Sequence, residues 1–331
     1  MVTNPRHRFS RRVAFFTLLL TASGLAVILA LALGSVTAGG DSIWSAWHQP
    51  EHPLHDILWR VRAPRVGAAW LTGALLALAG VLMQVLLRNP LADPYILGAS
   101  GGAACFALLA MSFAPALPVP FAAFAGALAT TILVFVLARG HGPWNGTRLL
   151  LTGVMVAAAW GALISLLLSL GPEARLRGML FWLMGDLSWA ATAPWMWLVF
   201  AVLLGVLTWM ARALNVMVLG ETHAALLGEE PVRLAWSIYV AASLATALAV
   251  TIGGAIGFVG LLAPHLMRLA GGADHRLLLP ASALFGGLFL TLADLAARTV
   301  VAPRQLPVGV VTALLGAPLF IVLLYRNASR G

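Results

Sequence analysis

The sequence predicts an all-α membrane protein of about ten transmembrane helices with both termini in the cytoplasm. Three observations carry this. Of 331 residues, 61% are hydrophobic and only 9% charged, and the mean hydropathy is +0.95. Soluble domains are about 45–50% apolar and about 25% charged, so a water-soluble fold would have too little polar surface. Second, the apolar residues fall into ten stretches of roughly span length, about 20 residues for a hydrocarbon core of about 30 Å. Third, the 20 basic residues are all Arg, and they alternate unevenly between the loops.

The stretches are 13–34, 64–87, 95–114, 119–138, 148–170, 191–211, 234–252, 257–270, 277–297 and 307–325. The first follows a basic segment, as a signal peptide does. It is long enough to span, nine further stretches follow, and it reads as an uncleaved helix. The eighth is short and is preceded or opened by Gly253, Gly254 and Gly257. Backbone broken in this way is tolerated at membrane depth only inside a bundle, so this segment is expected to be broken or tilted and enclosed by protein.

Ten spans place both termini on one side. With the N-terminus inside, 13 Arg are cytoplasmic and 7 are outside, which the positive-inside rule favours. The organisation is then a cytoplasmic tail over 1–12, one transmembrane domain over 13–326 and a cytoplasmic tail over 327–331. Two connections are too long to be plain turns. Residues 212–233 lie on the cytoplasmic side. Residues 37–63 lie outside and carry Trp44, Trp47 and Trp59, a residue type that anchors at the interface.

Several function classes are excluded. The net charge of +9 reflects topology, since no aromatic-basic interleaving of the kind that binds nucleic acid is present. The single cysteine, Cys105, rules out an internal disulfide and reads as core packing. A P-loop requires a Lys against the nucleotide phosphates, and the chain has none. Ion-coupled carriers place ionisable groups in mid-span. Here Asp294 is the clear case, and Arg298 one turn later is positioned to neutralise it. No H-E-x-x-H is present, and no metal site or cofactor is expected. Gln84, mid-span, reads as an interhelical hydrogen-bonding residue.

Five runs stand in a fixed order: Arg-Ala-Pro-Arg at 62–65, GALLALAGVLMQVLLRNPLADPYILGASG at 73–101, LNVMVLGETHAALLG at 214–228, GGAIGFVGLLAPHLMRLAGGADHR at 253–276 and DLAARTVVAPRQLPVGVVTALLGAP at 294–318. In this order and spacing they resemble the permease family of ABC importers for iron-siderophores, haem and cobalamin, of the FecCD type. The resemblance covers about residues 55 to 326. It implies the type II importer fold, a second permease copy around a central path, two cytoplasmic ABC ATPase subunits and an extracytoplasmic substrate-binding protein, all in a lipid bilayer.

The resemblance also implies roles for particular residues. In 212–233 it implies two short helices broken near a Gly that couple to the ATPase, through Leu219, Gly220, Glu221, Ala224, Leu227 and Gly228; read alone, the segment is equally an amphipathic connector. It implies that Arg62, Arg65 and Arg298 at the outer face meet carboxylates of the binding protein, a task suited to the planar guanidinium fork; snorkelling to head groups is the plainer alternative. Asn89 and Pro90 belong to a helix-stopping turn. Pro264 bends or starts a segment, and His265 reads as a hydrogen-bonded interfacial residue. With Gln84 these are candidates for the path or its gate. A path lined by small and apolar side chains is expected. The cargo reads as an iron chelate, siderophore or haem, with cobalamin as the alternative and an ion-coupled transporter as the alternative of another class.

Overall fold

A computed structural model describes residues 5–34, 45, 47–49, 51–139, 146–188 and 190–328; Trp44 lies outside them. Among the described residues, thirteen α-helices of six residues or more follow one another: α1 Pro5–Ala32, α2 Ala63–Leu86, α3 Ala99–Phe113, α4 Val119–Arg139, α5 Gly146–Leu170, α6 Glu173–Leu183, α7 Pro194–Trp209, α8 Ala211–Met217, α9 Glu221–Leu226, α10 Pro231–Gly253, α11 Val259–Gly271, α12 His275–Thr299 and α13 Val308–Ala328. No strand occurs among the described residues. Below, the end of the bundle holding α8 and α9 is called cytoplasmic, after the arginine bias.

All ten predicted stretches carry a helix. By length and composition alone, six helices suffice to cross a membrane, with α7 and α8 a seventh span bent by 61°. The others, α3, α11 and α13, fall short of that length and composition. Two features go beyond the sequence reading. The predicted tail 1–12 carries helix from Pro5 onward, because nothing between Pro5 and Val13 interrupts α1 and Pro suits a first helical turn. The connection 171–190 contains α6, which starts after Pro172 with Glu173 in its first turn and so carried a helix-start signal.

The centre of the bundle is α2. Its residues from Ala68 to Leu86 are almost all buried, chiefly against α12, α10 and α11, whereas α5 turns Leu151, Met155 and Leu170 outward. Such outward apolar surface suits lipid rather than water. The α2 contacts are close because small residues line them. A Cβ on Gly80 would lie 1.8 Å from the Gly260 carbonyl oxygen, the very carbonyl that Pro264 leaves without its helical donor four residues on. Gly80→Ala is therefore expected to lower stability by about 3 kcal/mol, at the upper end of overpacking effects. Gly205→Ala, on an open face of α7, should be neutral or stabilising by up to ~1 kcal/mol. Unfolding in detergent checks both, and equal effects would refute the packing account.

The eighth stretch is broken as expected. Chain 254–258 joins α10 to α11 inside the protein, with Gly254 at φ 70° and Phe258 at φ 69°. The Ile256 N–H donates to the Tyr95 hydroxyl at 3.1 Å. Tyr95 is held in turn by its backbone N–H donating to Asp93 Oδ1 at 2.8 Å. The break is thus tied to the turn that joins α2 and α3, and its freed backbone is satisfied within the bundle.

Candidate functional site

At the outer end, α2 delivers Arg65 from its first turns and α12 delivers Asp294 and Arg298 from its last. Arg65 Nη2 lies 2.8 Å from Asp294 Oδ1, its Nε 3.0 and 3.1 Å from the two carboxylate oxygens. Arg298 Nε is farther off, at 3.5 Å. The expected Arg298–Asp294 pair is present within one helix, but the closer partner is Arg65, 229 positions earlier, whose fork meets the carboxylate bidentately. Arg298 also donates to the Ala30 carbonyl, and Arg62 to those of Leu31 and Ala32 at 2.9 and 2.8 Å. Cations against the last carbonyls of α1 complement its dipole.

Arg62, Arg65 and Arg298, expected to meet carboxylates of a binding protein at the outer face, are 8%, 6% and 4% exposed in this subunit. A carboxylate reaching them from outside competes with Asp294 and the end of α1. The network extends further: Arg65 Nη1 donates to Gln305 Oε1 at 2.7 Å, and Ser188 Oγ donates to the same oxygen at 3.2 Å. Gln305 and the α1 carbonyls were not legible as its members. The sequence signal was the Asp294–Arg298 spacing. On the loop 37–63, Trp47 and Trp59 pair at 4.7 Å between ring centroids.

Beside this network a cavity of about 1260 Å³ opens at the outer end. It lies among α6, Asp186, Ser188 and Ala190, the end of α10 and the segment 301–307. Its walls include Phe181, Trp182 and Met184, with Arg65, Arg177, Asp186, Arg304 and Gln305. The helix α6, unseen in the sequence, supplies aromatic and cationic side chains to it.

At the cytoplasmic end, α8 and α9 form the expected pair of short helices. Gly220 at φ 109° breaks them apart and Gly228 at φ 84° turns the chain into α10, both in backbone conformations that favour glycine. Asn215 of α8 anchors the segment. Its amide donates to Asp274 Oδ1 at 2.9 Å and its carbonyl oxygen accepts from the His275 N–H at 3.0 Å. The Asn215 amide also holds the Asp274 carboxyl below its usual range. Among the predicted coupling residues, Leu219 and Leu227 are 61% and 62% exposed. Gly228 is exposed and Glu221 half-buried. Ala224 is fully buried and Gly220 is buried, so these two support the segment from within and form no part of its surface. Leu226, 80% exposed, is the surface residue that sequence reading missed.

The five path or gate candidates fall on two elements, Gln84, Asn89 and Pro90 at and just past the end of α2 and Pro264 and His265 in α11. Gln84 Oε1 accepts from Arg268 Nη2 at 2.9 Å. Asn89 Oδ1 accepts from the Leu91 N–H at 2.9 Å, and both Asn89 and Pro90 are exposed. Pro264 is buried within α11. The reading of His265 as hydrogen-bonded is corrected: Nε2 has no partner among the described residues, and the ring packs edge-to-face on Phe320 at 6.0 Å. None of the five lines the outer cavity.

A many-helix membrane bundle, a large cavity at one end and an exposed apolar segment at the other, without a P-loop of its own, define a multi-pass permease subunit of the inner membrane. The sequence model of the FecCD transport family matches residues 19–326, and the chain belongs to that family of ABC transporter permeases. It is 41% identical over 307 residues to the vitamin B12 import system permease protein BtuC of Vibrio cholerae, covering 91% of this chain and 90% of that one. It is 39% identical over 321 residues to the hemin transport system permease protein HmuU of Yersinia pestis, covering 92% and 94%. A solved structure of a metal-chelate type ABC transporter in an inward-facing conformation matches it with a TM-score of 0.81 and 31% identity, over 95% of this chain and 99% of that one.

Proposed function

We propose that the chain is the membrane subunit of an ABC importer that moves an iron chelate, a ferric siderophore or haem, across the inner membrane. In this reading it pairs with a second copy, with two cytoplasmic ATPase subunits and with an extracytoplasmic binding protein. The observation that carries the reading is the anchored α8–α9 segment. It holds Leu219, Leu226 and Leu227 exposed at the cytoplasmic end, an apolar seat for a partner that supplies the energy. The buried pairing of Asp294 with Arg65 speaks against an ion-coupled carrier, because that carboxylate is already neutralised. Arg62, Arg65 and Arg298 remain the proposed docking group for the binding protein, reached only in exchange for their internal partners.

The test is uptake into proteoliposomes holding the permease, its ATPase and its binding protein. ATP-dependent accumulation of a labelled ferric siderophore or haemin is expected, with no accumulation of cyanocobalamin. Accumulation of cyanocobalamin alone would replace the cargo assignment. Uptake driven by an ion gradient without the ATPase would overturn the importer reading.

A further inference from the structure

The outer cavity holds more positive charge than its surroundings balance. Arg65 is matched by Asp294. Asp186 accepts from the Ser188 N–H and lies within ion-pair distance of no arginine among the described residues. Arg177 and Arg304, both exposed on the cavity wall, likewise have no carboxylate partner among the described residues. Arg177 lies over the Phe181 ring at 5.7 Å from its centroid, which leaves the edge of its fork for an anion. At about 1260 Å³, the space exceeds the ~300–1,000 Å³ of ordinary small-molecule pockets. Phe181 and Trp182 add aromatic wall beside the cations.

Resting on the importer reading, we propose that this cavity is an entry vestibule selective for bulky anionic chelates. Arg177 and Arg304 would bind the carboxylate or catecholate oxygens of the cargo, and Phe181 and Trp182 its planar apolar parts. Guanidinium forks suit paired oxygens, and aromatic faces suit flat conjugated ligands. Uncompensated charge at the mouth of a low-dielectric cleft also raises the encounter rate of oppositely charged ligands. A neutral chelate of similar bulk gains the apolar contacts alone. The arginines line a concavity large enough for the cargo, which favours a small-molecule chelate over a protein surface as their ligand.

The test uses the full-length permease in nanodiscs and equilibrium binding of four probes: haemin, a ferric tricatecholate, a neutral ferric trihydroxamate and cyanocobalamin. Tighter binding of the first two is expected, weakening with salt. R177Q combined with R304Q should weaken both anions by about ten-fold, the scale of a charge-assisted contact discounted for exposure, and change the two neutral probes by less than about two-fold on the same scale. Both side chains are exposed, so the fold should survive, and an unaltered unfolding profile checks this. Equal binding of neutral and anionic probes, equal losses for both, or anion binding that survives the double substitution would each refute the vestibule. So would weaker affinity for the binding protein with anion binding intact, which would assign the arginines to a protein interface. Binding is read without the ATPase, so a permease that fails to capture an ATPase counts against the importer reading and leaves the vestibule to be decided by the probes.

Discussion

Asp294→Asn is expected to destabilise the folded subunit by about 3–5 kcal/mol, the scale for removing one partner of a buried ion pair. The substitution keeps the shape of the side chain and removes its charge. Arg65 and Arg298, 6% and 4% exposed, would then face one another without a counter-ion. Replacing Arg65 as well, in Asp294→Asn/Arg65→Met, should recover much of the loss, since a buried pair replaced as a unit is often neutral. The coupling between the two sites is expected at about 1–3 kcal/mol. Chemical unfolding of the single and double variants in detergent measures it. Additive losses would show that Arg65 and Asp294 do not act as a pair. Arg298→Ala should behave differently. It releases the α1 carbonyl and is expected to loosen α1 while sparing the α2–α12 contact, as proteolysis near Ala32 would report.

Leu226→Asp combined with Leu227→Asp is expected to abolish ATPase capture, weakening it by about two to four orders of magnitude. The estimate takes about 1.5–3 kcal/mol for each leucine buried on assembly. Both side chains are exposed in the isolated subunit, at 80% and 62%, so membrane insertion and thermal stability should match the unaltered protein. Affinity purification of the permease with its ATPase, followed by ATP-driven uptake, reads both consequences. Unimpaired capture would show that α9 is a connector and that the ATPase sits elsewhere. Ala224→Leu, by contrast, should act through the fold, because that position is fully buried and extra volume there must push α9 away from α10.

Much of this was legible in the sequence because a bilayer imposes a simple rule on it. Every spanning segment must be apolar and must satisfy its own backbone, so the ten stretches, the break around Gly253 to Gly257 and the two long connections follow from composition alone. The five ordered runs were enough to indicate the family. The helix α6 was not seen, since Arg175 and Arg177 interrupt its apolar pattern and its 11 residues are too few for a span.

What the sequence by itself determined is the order of the ten apolar stretches, the orientation implied by arginine placement, and the lack of a P-loop lysine. Only the tertiary structure decided which side chains meet. Spacing along a helix nominates Arg298 for Asp294, yet Arg65 takes the carboxylate because the closely packed α2–α12 contact brings it there with better geometry. The same holds at α9, where rotation about one short helix axis turns Ala224 inward and Leu226 outward. Side-chain partners across 229 positions, and the facing of a six-residue helix, depend on how the helices pack together, and no local pattern in the chain encodes that.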